Sequence, residues 1–102
     1  MHLLLESLFK HYPKPLIVLD SNGQIVYSNT SVFLMFNLEH KLSIIQEMIS
    51  RSLCQKIISY RGQHPFKEQL ETGHFAIFEP WKLELAKDKY IACTLQIVDM
   101  DD

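Results

Sequence analysis

The sequence predicts an α+β domain: a five-stranded antiparallel sheet with helices packed on one face and a further helix flanking the N-terminus. Three observations carry this. An Asn22-Gly23 turn separates two short apolar runs, helical periodicity extends from Leu42 to Tyr60, and apolar residues alternate cleanly after Gly73. Strands and helices are segregated along the chain rather than interleaved, which is the order of an antiparallel sheet and not of a parallel one.

From Leu4 to Tyr12 the apolar residues Leu4, Leu5, Leu8, Phe9 and Tyr12 recur at helical spacing, and Pro13 forbids continuation. Leu16 to Leu19 is a run of strand formers. Asp20-Ser21-Asn22-Gly23 follows, with the positive-φ residues of a type I′ turn, and Gln24 to Ser28 reads as the returning strand. Asn29 is placed to cap a short helix over Thr30 to Phe36, with Val32, Phe33 and Phe36 inward and Asn37 as its end. Ile45, Ile49, Leu53, Ile57 and Tyr60 then repeat every three or four residues, with Met48 beside them. That period is compatible with one long helix to Arg61, and Ser50-Arg51-Ser52 is the natural place for a break.

Gly62 to Pro65 is a loop signal, Phe66 to Leu70 reads as a last helical turn, and Glu71-Thr72-Gly73 as another turn. Three strands are expected after it: His74 to Phe78, Trp81 to Leu85 beyond Pro80, and Tyr90 to Val98 beyond the polar turn Lys87-Asp88-Lys89. Consecutive antiparallel pairing is the economical topology for them.

The 102 residues suffice for one core and not two, and 47% hydrophobic against 22% charged residues is the composition of a chain that folds alone. A net charge of -2 with no basic stripe argues against nucleic acid as a partner. The N-terminal run lacks a basic n-region and is broken by Glu6 and Lys10, so secretion is not expected. No apolar stretch approaches the roughly 20 residues of a membrane span. Cys54 and Cys93 lie far apart in apolar patterns, as free buried thiols of a reducing compartment do. A cytoplasmic domain without direct membrane contact is therefore expected.

Pro15-Leu-Ile-Val-Leu-Asp20, Ser-Asn-Gly, and Gln24-Ile-Val-Tyr-Ser-Asn29 together resemble the opening of a PAS domain, the sensory box of bacterial signalling proteins. Ile97-Val98-Asp99-Met100-Asp101 looks similar to the closing Asp-Ile-Thr signature of that family, with Met and Asp in place of Ile and Thr. The resemblance implies a flanking helix over residues 1–13 and a sensory domain over 14–102. It also implies a module that binds a small ligand, or relays a signal, for an attached effector such as a histidine kinase or diguanylate cyclase in a two-component or related pathway. The chain stops about where such domains hand over to a linker helix, so it reads as an excised fragment or a very short protein.

Catalysis finds no support. There is no GxSxG element, and the three glycines lie too far apart to form a phosphate loop. The five histidines show no i, i+4 pair, and none falls in Ser52 to Arg61, where the resemblance places a haem ligand; His64 just beyond keeps haem as the weaker alternative. Cys54 lacks the neighbouring Asn and Arg of the flavin-adduct motif, so flavin is likewise not indicated, with Trp81 as its stacking candidate. The cofactor is unknown.

Two functional readings stand beside each other. In one, the space between sheet and helices is a small-molecule pocket lined by some of Met48, Ile49, Leu53, Ile57, Phe78, Trp81, Leu83, Cys93 and Leu95; the same residues equally describe a filled core. In the other, the chain is a ligand-free interaction module whose homodimer contact uses Leu4, Leu5, Leu8 and Phe9 of the first helix. The second reading predicts that Glu at Leu5 and Leu8 leaves a folded monomer.

Overall fold

Apolar runs, turn residues and caps divide the chain into four helices and five strands in the computed structural model, which describes residues 2–62 and 64–98, residues 2 and 3 by their backbone. The helices are α1 (His2–Phe9), α2 (Thr30–Phe36), α3 (Leu42–Met48) and α4 (Arg51–Ser59). The strands are β1 (Leu16–Asp20), β2 (Ile25–Ser28), β3 (Phe66–Gln69), β4 (Phe75–Leu85) and β5 (Asp88–Val98). They form one antiparallel sheet in the order β2-β1-β5-β4-β3. The expected closing signature at Asp99 to Asp101 lies outside the described residues.

The first hairpin forms where the Asn-Gly signal places it, but its turn differs from expectation. Gly23 has φ 85° while Asn22 is not in the positive-φ region, so this is not a type I′ turn. Asp20 closes a three-residue loop instead: its carbonyl accepts from the Gly23 amide at 3.0 Å and its amide donates to the Gln24 carbonyl at 2.9 Å. Its carboxylate Oδ1 also accepts from the amides of Asn22 at 3.0 Å and Gln24 at 2.9 Å. The two-residue turn with both φ positive sits in the β4–β5 hairpin, at Ala86 (49°) and Lys87 (73°), without Gly or Asn.

The helical block is two helices. Ile49 and Ser50 are extended, and the Ser50 hydroxyl oxygen accepts from the Leu53 amide at 3.2 Å, capping α4. Asn37 ends α2 in the left-handed conformation at φ 55°. The expected helical turn at Phe66 is strand β3. Burial alternates there, with Phe66 and Glu68 half-buried and Lys67 and Gln69 exposed, and Phe66 to Gln69 pair with Phe78 to Phe75. Nor do the strands on either side of Pro80 separate: β4 runs unbroken through it, and Pro80 lies opposite Cys93. Proline is tolerated there because β3 stops pairing at Phe78, so nothing calls for an amide hydrogen on that side.

Each face of the sheet carries its own core. Ile17, Leu19, Phe78, Cys93 and Leu95 face α2, α3 and α4, whose Val32, Phe33, Ile45, Leu53 and Ile57 are buried against them together with Ile49 of the α3–α4 link. Leu16, Val18, Tyr27, Tyr90 and Ala92 face the other way and are covered by Leu5 and Phe9 of α1. β1 is buried on both faces, which explains its unbroken Leu-Ile-Val-Leu run.

Candidate functional site

The interior face brings together Met48, Ile49, Leu53, Ile57, Phe78, Cys93 and Leu95, all buried in one cluster with Cys54 and Phe33. Phe66 stacks on Phe78 at 5.4 Å between ring centroids, and Tyr60 lies over Phe66 at 4.7 Å, so rings close the β3 end of this space. Phe78 and Cys93 have no exposed surface and Ile57 retains 1%. These side chains are buried against one another in the region where the pocket was expected.

Trp81 and Leu83 do not line it. They pack with the α1 cluster on the opposite face. The unbroken β4 explains this: Phe78 faces the helices, so alternation sends Pro80, Lys82 and Glu84 to that side and Trp81, Leu83 and Leu85 to the other. A flavin stacked on Trp81 within the helix-covered interior is thus excluded by the position of the ring.

On the α1 face, rings form a chain across the sheet. Tyr27 of β2 lies 6.3 Å from Phe9, Phe9 meets Tyr12 edge-on at 5.9 Å, and Tyr12 lies 6.2 Å from Trp81 of β4. Of the apolar α1 residues assigned to a dimer contact, Leu5 and Phe9 are buried against the chain's own sheet, whereas Leu4 (42%) and Leu8 (49%) are exposed. The helix therefore offers a partner half of the surface that its sequence suggests.

A surface groove of about 410 Å³ runs between the β1–β2 turn and the break between α3 and α4. Two glutamines hold its walls together: the Gln46 amide nitrogen donates to the Ile25 carbonyl at 2.8 Å and that of Gln55 to the Asn22 carbonyl at 3.0 Å. Arg51 and Gln24 complete its polar rim, and Ile49 and Cys54 form apolar floor. Sequence reasoning missed this groove. Gln46 and Gln55 sit on the polar faces of their helices, and only the fold brings them to the turn.

Burial pushes the Cys93 thiol up to about 12 and raises Cys54 as well. Both are poor nucleophiles at neutral pH. Tyr27 is raised by burial and, secondarily, by the Glu6 charge. His40 stacks on Phe33 at 5.1 Å, the His74 ring shares a hydrogen bond with the Thr72 hydroxyl at 2.8 Å, and exposed His64 offers its carbonyl to the Tyr60 hydroxyl. Among the described residues no three His, Cys, Asp or Glu converge as a metal would need, and no helix is long and apolar enough to cross a membrane.

No protein-family model and no curated protein matches this sequence. Solved structures do match, 31 chains in all. The PAS domain of an HTR-like protein from Haloarcula marismortui superposes with a TM-score of 0.62 at 16% identity, covering 93% of this chain and 89% of that one. A PAS domain from a two-component sensor histidine kinase gives 0.61 at 14% identity, covering 93% and 94%. That of Bordetella pertussis BvgS gives 0.54 at 15%, covering 94% and 85%. The chain has the PAS fold, as its opening residues imply.

Proposed function

We propose that this PAS-fold chain is a regulatory module of a signalling protein, relaying a change in packing between its helix-covered interior and α1 to an attached effector of the histidine kinase or diguanylate cyclase kind. The observation that supports the reading is the buried cluster on the helix side of the sheet: Met48, Leu53, Ile57, Phe78, Cys93 and Leu95 bury one another where a sensor would hold its ligand. A core packed in this way has discrete arrangements rather than a continuous range, which suits a two-state relay. The ring chain Tyr27–Phe9–Tyr12–Trp81 supplies the connection, since it joins α1 to both outer regions of the sheet. The exposed Leu4 and Leu8 give α1 a surface through which its tilt would reach the attached effector.

Similarity to a sensor histidine kinase domain supports the choice of effector class. A fusion of the chain to a histidine kinase catalytic core tests the relay. Tyr12→Ala, which cuts the ring chain at a half-buried position, is expected to change autophosphorylation at least threefold while the fold persists. Equal rates in both fusions would contradict it.

A second reading, a small-ligand sensor, is favoured by the groove of about 410 Å³ and its polar rim. A polar metabolite there would bridge the β1–β2 turn to α4. Thermal shift against a metabolite panel separates the readings, because only the sensor predicts a stabilising compound whose effect is lost in Gln55→Ala.

A further inference from the structure

β4 is longer than the strand beside it. β3 pairs with Phe75 to Phe78 alone, and among the described residues no strand pairs with Glu79 to Leu85 on that side. The hairpin turn fixes what this open edge presents. Leu85 and Asp88 face each other across a two-residue turn, so they form a hydrogen-bonded pair, and alternation turns the backbone groups of Leu85, Leu83 and Trp81 toward β5. The backbone groups of Glu84, Lys82 and Pro80 then point outward. Pro80, which has no amide hydrogen, agrees with this parity. The edge therefore offers two complete donor–acceptor pairs, at Lys82 and Glu84, with both side chains exposed.

We infer that this edge pairs with the same edge of a second copy of the chain, antiparallel about a two-fold axis through Leu83. This is the register in which the outward-facing residues meet: Lys82 lies opposite Glu84 of the second copy, and Glu84 opposite its Lys82. Four backbone hydrogen bonds form, and opposite charges face each other twice on the helix side of the sheet. On the α1 side, Leu83 meets its counterpart on the axis, flanked by Trp81 and Leu85, so a half-buried apolar strip continues across the junction. Charge complementarity selects the second copy as occupant. In the register shifted by two residues toward the turn, Glu84 would face itself, and shifted the other way Lys82 would face itself; like charges directly opposite are unfavourable. Pro80 and the turn at Ala86 and Lys87 limit the pairing to this short stretch, which keeps it reversible instead of fibrous.

Sedimentation from about 10 µM to about 1 mM, with circular dichroism on each variant, tests the contact. Lys82→Glu and Glu84→Lys each place like charges opposite one another twice, and each is expected to weaken dimerisation about tenfold. The double variant restores the pairing and with it the affinity. Hydrogen exchange adds a backbone readout: protection at the Lys82 and Glu84 amides rises with protein concentration, while Trp81 and Leu83, already bonded to β5, do not respond. A chain that stays monomeric at about 1 mM would overturn the inference, as would a dimer indifferent to Lys82→Glu or not restored by the swap. If Leu8→Ser alone abolishes the dimer, with the Lys82 and Glu84 amides unprotected throughout, the contact belongs to α1 instead.

Discussion

The side-chain oxygen of Asn29 accepts the amide hydrogen of Leu16 at 3.0 Å, while its amide nitrogen donates to the Lys14 carbonyl at 2.8 Å. The backbone of Asn29 also donates to the Leu16 carbonyl at 3.0 Å. One side chain, 2% exposed, thus satisfies the entry to β1 from the end of β2. It does not cap α2, the role its position in the sequence suggests. Asn29→Ala leaves the buried Leu16 amide unpaired and removes the bond to the part-buried Lys14 carbonyl, and is expected to lower stability by about 2 kcal/mol, read by urea denaturation. A loss under about 0.5 kcal/mol would mean that the backbone bond alone holds the junction.

Gly23 combines a φ of 85° with a neighbour, the Gln55 amide nitrogen, that an added Cβ would approach to 2.6 Å. Gly23→Ala is expected to cost about 1 to 2 kcal/mol. In a Gln55→Ala background the closest clash is removed, while the Ile58 Cδ1 contact at 3.3 Å and the backbone part remain, so the double-mutant cycle shows a coupling. Additive effects would place Gln55 away from the turn in solution.

Burial raises the Cys93 thiol to about 12, from an ordinary value of 9.0. Its contribution to stability is complete below about pH 9 and is lost as pH rises toward 12, because only the unfolded chain releases the proton in that window. Chemical denaturation should give a flat stability from pH 7 to about 8.5 and a decline beyond it of roughly 1 kcal/mol per pH unit from this group. Cys93→Ala is expected to flatten that slope, whatever it does to stability at pH 7. An unchanged slope would assign the decline to other groups, Tyr27 among them.

Leu5 and Leu8 differ in burial by an amount that mutation can read. Leu5 is 1% exposed and Leu8 49%. Leu5→Ala is expected to cost about 3 kcal/mol, a fall of more than 10 °C in Tm for a domain of this size, while Leu8→Ala costs under about 1 kcal/mol. It follows that Glu at both positions, the test the sequence suggested for a dimer interface, would unfold the α1 face; only the exposed Leu4 and Leu8 can test a contact through α1 without that loss. Equal losses at Leu5 and Leu8 would contradict the packing of α1.

Elements specified by local chemistry are legible in the sequence. Asp20, Asn22 and Gly23 announce the first hairpin, Asn37 ends α2, and Ser50 marks the division of α3 from α4, whereas the helix expected to reach Tyr12 stops at Phe9, four residues before Pro13. The resemblance carried by Pro15 to Asn29 led to the right fold for the same reason. What the sequence hides is non-local. Pro80 reads as a break in isolation and is harmless only because β3 is too short to reach it, and β3 itself passes for a helical turn until β4 lies beside it. Five strands were expected and five form among the described residues, yet two expected strands are one and an expected helical turn is the fifth. The misplacement of Trp81 and Leu83 follows, since parity along β4 can be counted only once the strand is known to be continuous. Met48, Ile49, Leu53, Ile57, Phe78, Cys93 and Leu95 fall in one buried cluster because apolar periodicity identifies a common face; whether such a face encloses a ligand or fills itself depends on packing that periodicity does not encode.

Native mass spectrometry of freshly purified protein tests most directly whether the interior is filled by its own side chains. A filled interior gives peaks at 12.0 kDa and at integer multiples of that mass, with no retained adduct and no visible absorbance in the same sample. A stoichiometric extra mass, carried on the chain and released only on unfolding, would contradict it and return the interior face to the role of a ligand pocket.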